Sequence, residues 1–523
     1  MKKRVKFIIC LICICLFTLA GCNRDSENKL VFMTIGLGEQ QDSQMVWNEF
    51  NKRIKEYIPG IEVEFIIVPA HEFAEQFELR MFAGLQVDVA WTGYAFSFAE
   101  QVAKGNYLKL DSLIDEYAPD LKVNTLPWML DLGSINGEIY QIPRFEWMNE
   151  WRMALTTQTD IFETYWDINA AQDIFINNGE HYRSMTSDMY NFLETYLANL
   201  KNANRLQSGI SFRGMNFNYG AFMYDSASAP VMRVPRRNAY YDFTVYNYYE
   251  LPEVKLYYQK ASEYYRNGYF PSNIMDIRLR DYENSRLDNS FIAWFDEYLG
   301  FNNEAYYSGV VSNDERPLTR ISLENDFYIT RIESVSGHVI PRTAKNPQAA
   351  IKLIELLNTS KGRELFNLLT FGIEGIHYNK ISNNRIETID YVGYPDTNSR
   401  YGLPKWSVGN VVENAYLTQT ESSDTYYEFM RNLPNQAIIS PMIGFKPDVR
   451  NIRHINMAVQ SVINEFEWEL SIGVLGNNWE ERYNLMIQRL KDAGIDQLLS
   501  ELQGQVDAYL LANGISKTNT KAY

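Results

Sequence analysis

Between residues 29 and 104 the chain alternates strand-type and helix-type patterns three times, and this order restricts the fold more than any other feature. Lys29–Leu37 (KLVFMTIGL) is a β-rich apolar run. Asp42–Ile58 carries Met45, Val46, Phe50, Ile54, Tyr57 and Ile58 at helical spacing, and Pro59-Gly60 stops it. Ile61–Val68 (IEVEFIIV) reads as a second strand. Glu72–Ala83 reads as a second amphipathic helix, closed by Gly84. Val87–Trp91 is a third strand with a turn at Gly93, and Phe96–Lys104 is helical. A β-α-β-α-β-α order implies a parallel sheet wrapped by helices. Ligands of such sheets bind at the carboxyl ends of the strands, here Gly36–Glu39 and Trp91–Tyr94.

Further along, Ile135–Pro143 (INGEIYQIP) reads as a turn followed by a strand, and Thr159–Leu200 as helix in two or more pieces. Tyr240–Tyr269 holds ten tyrosines, some on a helix, Glu253–Arg266, that ends at Asn267-Gly268. Phe291–Tyr298 (FIAWFDEY) looks like a short strand and turn, and Asp326–Ile340 like strand pieces around Gly337. Asn346–Leu357, Lys361–Leu369, Arg450–Glu469, Trp479–Asp492 and Ile495–Leu511 have helical periodicity. Pro347 suits a first turn, and Gly372 and Gly494 suit helix ends. There is no internal repeat.

The first residues have a different logic. Lys2, Lys3, Arg4 and Lys6 precede Phe7–Ala20, a run that is apolar except for Thr18. A run of that length is shorter than the roughly 20 helical residues a membrane span needs, and it fits the apolar part of a secretory signal. It closes in Leu19-Ala20-Gly21-Cys22, which resembles the lipobox of bacterial lipoproteins. That resemblance implies a signal peptide at 1–21, acylation of Cys22 and a lipidated tether at 22–28. All 4 cysteines lie at Cys10, Cys13, Cys15 and Cys22. The C-x-x-C of Cys10 and Cys13 has no second pair and sits in the apolar run, which argues against a zinc or redox motif. A chain cut before Cys22 has no disulfide, so its core must be large enough to fold alone.

Charge and motifs exclude several function classes. Losing the signal removes four of the 49 basic residues and none of the 65 acidic ones, which leaves a formal charge of −20. Such a chain repels nucleic-acid phosphates and carries no polybasic membrane patch. There is no G-x-x-x-x-G-K-[ST] and no G-x-S-x-G, and Gly36-Leu37-Gly38 lacks the third glycine of a dinucleotide loop. His71-Glu72-Phe73-Ala74-Glu75 has Glu75 where a zincin needs histidine, and the 5 histidines are scattered. His71 is read as a residue on an exposed helix face. No cofactor and no metal are expected. Many of the 10 Trp and 36 Tyr must be core, and a surplus also suits stacking on flat ligand faces such as sugar rings.

Several segments together resemble the extracellular solute-binding lipoproteins of ATP-driven importers, the sugar- and oligosaccharide-capturing family. They include MFAGLQVDVAWTGYAFSFAEQVAKGNYLKLDSLIDEY, INGEIYQIPR, GHVIPRTAKNPQAAIKLIELLNTSKGRELFNLLTFG, FGIEGIHY, LPKWSVGN and SPMIGFKPDVRNIRHINMAVQSVI. The resemblance runs from Leu19 to about Leu511. It implies an α/β fold, a two-lobed periplasmic-binding-protein-like (type II) clamp with a hinge between the lobes. The N-terminal α/β lobe would comprise 29–142 and 337–395, and the C-terminal α/β lobe 144–335 and 396–515. Hinge crossings would fall near Ile142–Arg144, Ser334–Gly337 and Asp396–Gly402.

The family's ligand positions map onto Gly38 and Glu39; Trp91, Thr92 and Tyr94; Arg144, Glu146 and Trp147; Trp294 and Asp296; Trp406 and Asn410; and Phe445. Arg144 departs from the small residue the family commonly has after the hinge proline. A pyranose offers an apolar CH face to Trp or Tyr and hydroxyls to Asp, Glu, Asn or Arg. Each tryptophan has a plain competing reading as core, and Glu39 as a solvated loop charge. The implied function is a non-enzymatic monomer, held on the extracytoplasmic face of the membrane by its lipid. It would deliver a carbohydrate, an oligosaccharide, to the permease subunits of an ABC transporter. The alternatives are a clamp that signals to a receptor kinase, and a surface carbohydrate-active enzyme with two carboxylates.

Overall fold

The computed structural model describes residues 28–93, 95, 97–144, 152–176, 181–206, 209–211, 221–222, 230–271, 273–275, 291–298, 306–311, 317–329, 336–392, 395–419, 421, 423–448 and 450–523; at 152, 153, 221, 222, 296–298 and 306–311 only the backbone is described. The chain divides into two compact units, Met1–Met148 with Glu333–Arg431, and Asn149–Ile332 with Asn432–Tyr523.

The first unit is built on a five-stranded sheet. Strand β1 (Lys29–Ile35) lies between β2 (Glu62–Val68) and β3 (Val89–Gly93) and is parallel to both. The strand Ser336–Val339 follows β3 antiparallel, and Ile142–Pro143 closes the order. Every residue of β1 after Lys29 is buried, as a strand covered on both faces requires. On one face, helix α1 (Ser43–Tyr57) buries Val46, Trp47, Phe50 and Ile54, packed with helices Pro347–Asn358 and Arg363–Phe371. On the other, helix α2 (Ala70–Ala83) buries Phe73, Phe77 and Met81, one residue per turn, and ends on a left-handed Gly84.

Two buried residues hold this sheet in register. Asp88 accepts the N–H groups of Val31 (2.8 Å), Lys345 (2.7 Å) and Asn346 (3.2 Å) and the Gln86 amide (2.7 Å). It thereby ties β1 to the start of helix Pro347–Asn358. Gly337 sits where a Cβ would lie 2.4 Å from the Ile142 carbonyl oxygen and 2.7 Å from Gln141 Nε2, so the strands approach too closely for any side chain.

Residues 396–431, expected in the second lobe, pack into the first unit. Tyr401, Leu403, Val408, Val411 and Ala415 enter its core. Thr34 Oγ1 at the end of β1 donates to the Ser407 carbonyl (2.7 Å), and Asn410 N–H to Leu357 O (3.1 Å). The segment is held by contacts distant in sequence, which periodicity does not report. The crossing expected at Asp396–Gly402 is therefore replaced by one at Arg431–Asn432.

The second unit has an antiparallel sheet in the order Ala293–Tyr298, Arg152–Gln158, Pro317–Ser322, Tyr306–Val311. Helices Ser187–Asn202, Pro252–Arg266, Arg453–Ser471, Trp479–Asp492 and Ile495–Ala512 share its large core. The tyrosine-rich segment is mostly core. Tyr241, Tyr249, Tyr257, Tyr258, Tyr264 and Tyr269 are buried. Hydroxyl-to-carbonyl bonds cross between its elements, among them Tyr264 to Tyr190 (2.6 Å), Tyr257 to Ser471 (3.3 Å) and Tyr483 to Tyr249 (2.8 Å). Among the described residues no helix is long and apolar enough to cross a membrane.

Candidate functional site

In the first unit the carboxyl ends of β1 and β3, the start of Ser336–Val339 and the end of Ile142–Pro143 come together, because Ser336 pairs with Gly93 and Gly337 with both Thr92 and Pro143. The loop after β1 turns at Gly38, whose φ of +85° is open to glycine at no steric cost. Glu39 beside it is exposed and accepts a bond from Gln44 Nε2 (2.8 Å).

Trp91 and Trp406 meet at this end. Their ring centroids lie 6.0 Å apart at 63°, an edge-to-face arrangement. Trp91 is fully buried and also lies edge-on to Phe73 at 5.3 Å. Trp406 is half-buried, so it is the member of the pair with accessible ring surface. The Arg144 guanidinium lies 5.5 Å from the Trp406 centroid. Its Nε donates to Ser336 Oγ, and the Arg144 amide donates to the Ser336 carbonyl (3.2 Å).

The turn that carries Trp406, Lys405–Ser407, is pinned from both sides. Ser407 holds Thr34, as above. Lys405 forms an ion pair with Glu421 and a bond to Tyr427 Oη (3.2 Å). Burial pushes the Glu421 carboxyl up. The Lys405 ammonium, with the N–H and hydroxyl of Thr418, outweighs this and holds it below the ordinary carboxylate value.

His338 lies beneath the cluster. Its Nδ1 faces the Asn358 amide nitrogen (3.2 Å), and its ring lies edge-on to Phe32 (5.5 Å). Burial holds the imidazole at about 4, with a bond to the Ser407 backbone opposing and the Arg144 charge adding to the depression. The ring is therefore neutral at neutral pH, and the Asn358 amide donates to an unprotonated Nδ1.

The other expected positions are distributed as follows. Thr92 is buried, its hydroxyl 3.1 Å from Tyr107 Oη. Asn410 caps the short helix Val411–Asn414 through Glu413 N–H (3.1 Å) and donates to Asn358 O (3.4 Å), so its amide serves the backbone. In the second unit Trp294 is buried with Phe291 and Leu318. The backbone of Asp296 pairs with Ala154. Phe445 is in the core, edge-on to Tyr509 at 5.4 Å. Cys22, Tyr94, Glu146 and Trp147 lie outside the described residues.

The structure brings Trp406 to Trp91 and Arg144, each more than 250 positions away in sequence. Ser336 and His338 are part of the same cluster and were not anticipated. Their only sequence signal is a serine and a histidine flanking Gly337, the residue expected at a hinge crossing. The cluster thus sets a half-buried indole beside a buried guanidinium that is held by Ser336.

Known proteins share this arrangement of elements. The crystal structure of the N-glycan transport solute binding protein NgtS from Streptococcus pneumoniae superposes with a TM-score of 0.72 at 18% identity, covering 93% of this chain and 99% of that one. The chain has the fold of the ABC-transporter solute-binding proteins. A second such structure, the S. pneumoniae ABC-transporter substrate binding protein FusA in complex with kestose, gives a TM-score of 0.58 at 15% identity over 93% and 99% of the two chains. In sequence, a curated carbohydrate ABC transporter substrate-binding protein of Streptococcus pneumoniae serotype 4 (strain ATCC BAA-334 / TIGR4) is 24% identical over 500 residues, 93% of this chain and 92% of that one. A family model described as "Domain of unknown function (DUF3502)" matches residues 441–511. In this solute-binding fold that region supplies helices Arg453–Ser471, Trp479–Asp492 and most of Ile495–Ala512 to the core of the second unit.

Proposed function

We propose that the chain is an extracytoplasmic solute-binding lipoprotein. It captures a carbohydrate, specifically an oligosaccharide, and hands it to an ABC importer by closure of two lobes, without catalysing a reaction. The observation that carries the reading is the half-buried Trp406 with Arg144 over its ring, placed at the carboxyl ends of a parallel sheet in a solute-binding fold. An indole face matches the CH face of a pyranose, and the buried Arg144 guanidinium lies beside that indole. The names of the proteins that share the fold or the sequence, with N-glycan transport, kestose and carbohydrate in them, support the ligand class. The anchor is Cys22, whose thiol is acylated before residues 1–21 are cut away.

A thermal-shift screen of mono- and oligosaccharides against peptides tests the ligand class. A true ligand at a hundredfold excess over its Kd stabilises by about 2.7 kcal/mol. A shift from peptides with none from glycans overturns the reading, and so does turnover of a bound oligosaccharide. The anchor is tested separately: Cys22→Ser must abolish acylation, and normal maturation of that variant removes the anchor from the proposal.

A further inference from the structure

The end of the first unit opposite the candidate site carries an apolar patch. Helix α2 ends there, and Phe82 is 90% exposed, Leu79 57% and Leu85 49%. Leu79 and Phe82 are three positions apart on one helix face, and Leu85 follows the Gly84 cap. Phe73, Phe77 and Met81 of the same helix are buried, so this second apolar stripe is left over after the core is filled. Tyr57, 39% exposed, ends helix α1 at the amino end of β2.

The patch lies where the described chain begins. Gln86 Nε2 donates to the Lys29 carbonyl (2.8 Å), which places Leu85 beside the first residue of β1. Residues 23–28 join that point to Cys22, a reach of about 20 Å for an extended chain. The candidate site lies at the far end of β1, about 20 Å away along the strand.

From this we infer that Leu79, Phe82 and Leu85 form a membrane-contact patch that rests in the bilayer surface while the tethered chain is idle, and that is released when the ligand end turns to an importer. The inference rests on the lipoprotein reading for its tether. The bilayer is the occupant because the tether fixes it within reach of the patch. Lys29 and Lys104 at this end are engaged by Glu64 and Glu78, so insertion is driven by apolar surface rather than by attraction to anionic headgroups. Three side chains are too few to hold a free chain on a bilayer. A tether of this length raises their effective concentration enough for the contact to form reversibly.

The test uses the chain from residue 23 with a histidine tag in place of the acylated cysteine, captured on vesicles that contain a nickel-chelating lipid. Its outcome is therefore independent of whether Cys22 is acylated. This chain has no cysteine, so Phe82→Cys and Leu37→Cys each accept one environment-sensitive fluorophore; Leu37 is exposed after β1, at the site end. The expected result is blue-shifted emission from the Phe82 label, lost when spin-labelled lipid is added, and solvent-like emission from the Leu37 label. Solvent-like emission from both labels overturns the inference, as do equal quenching of both and a blue shift at Phe82 that spin-labelled lipid leaves intact. The last outcome would mean that protein, not lipid, covers the patch.

Discussion

The guanidinium of Arg144 rests 5.5 Å from the ring centroid of Trp406, and the two residues are joined only through folding. The pair sets a half-buried indole beside a buried guanidinium. Trp406→Ala is expected to weaken oligosaccharide binding at least about tenfold, roughly 1.4 kcal/mol, with a small change in Tm. Trp91→Ala, which empties a fully buried site, is expected to cost about 3–5 kcal/mol of stability instead. Calorimetric titration and urea unfolding of both variants separate the two roles. Equal loss of binding and stability in both variants would show that the cluster does not divide in this way.

Asp88 gathers three backbone N–H groups from two segments in a buried setting. Asp88→Asn removes the charge from those bonds and turns one acceptor atom into a donor facing donors. A loss of about 1.5–3 kcal/mol is expected in the urea midpoint of the first unit. No change in midpoint would mean that the carboxylate is dispensable for joining β1 to helix Pro347–Asn358.

Gly337→Ala places a methyl group 2.4 Å from the Ile142 carbonyl oxygen. The contact is with backbone, which cannot rotate away, so the strand must move. A loss of about 1–3 kcal/mol is expected, with weaker ligand binding because Ser336 and Arg144 share that strand pair. A variant with normal stability and affinity would show that the strands yield without cost.

Burial keeps His338 at about 4 in the folded protein, below the ordinary value of 6.5. The unfolded chain therefore binds more protons between these values. Stability is fully present above about pH 6.5 and is lost progressively as pH falls toward 4, by about 3 kcal/mol over the whole window. His377, lowered by burial against the opposing pull of Asp42, adds to the same slope. His338→Gln should flatten the pH dependence of the urea midpoint between about pH 7 and pH 4.5 without abolishing it. An unchanged slope would mean that His338 takes its proton in the folded state.

Gln141 is fully buried, and among the described residues neither end of its amide has a hydrogen-bond partner. Replacing it with the similarly shaped methionine removes an unsatisfied polar group and is expected to leave stability unchanged or raised by up to about 1–2 kcal/mol. A clear loss in thermal unfolding would reveal that the amide is satisfied in solution.

The sequence by itself determined what is local. The strands and helices between Lys29 and Ala103 follow from side-chain periods of two and 3.6 residues, each stopped by Gly or Pro, and the order of those elements selects the parallel sheet. Trp479–Asp492 was legible to the residue for the same reason. Only the tertiary structure decided the partners. Residues 396–431 join the first unit because Tyr401, Leu403 and Val411 fill a gap between helices encoded elsewhere. Phe445 and Trp294, which the family resemblance mapped to ligand positions, are buried, and sequence could not separate that from the core reading because an aromatic side chain has the same signal in a core as on a binding face. Trp91 and Trp406 illustrate the limit most clearly. Each is an ordinary tryptophan in its own segment, and only the long-range packing that buries one and leaves the other half open assigns them different roles.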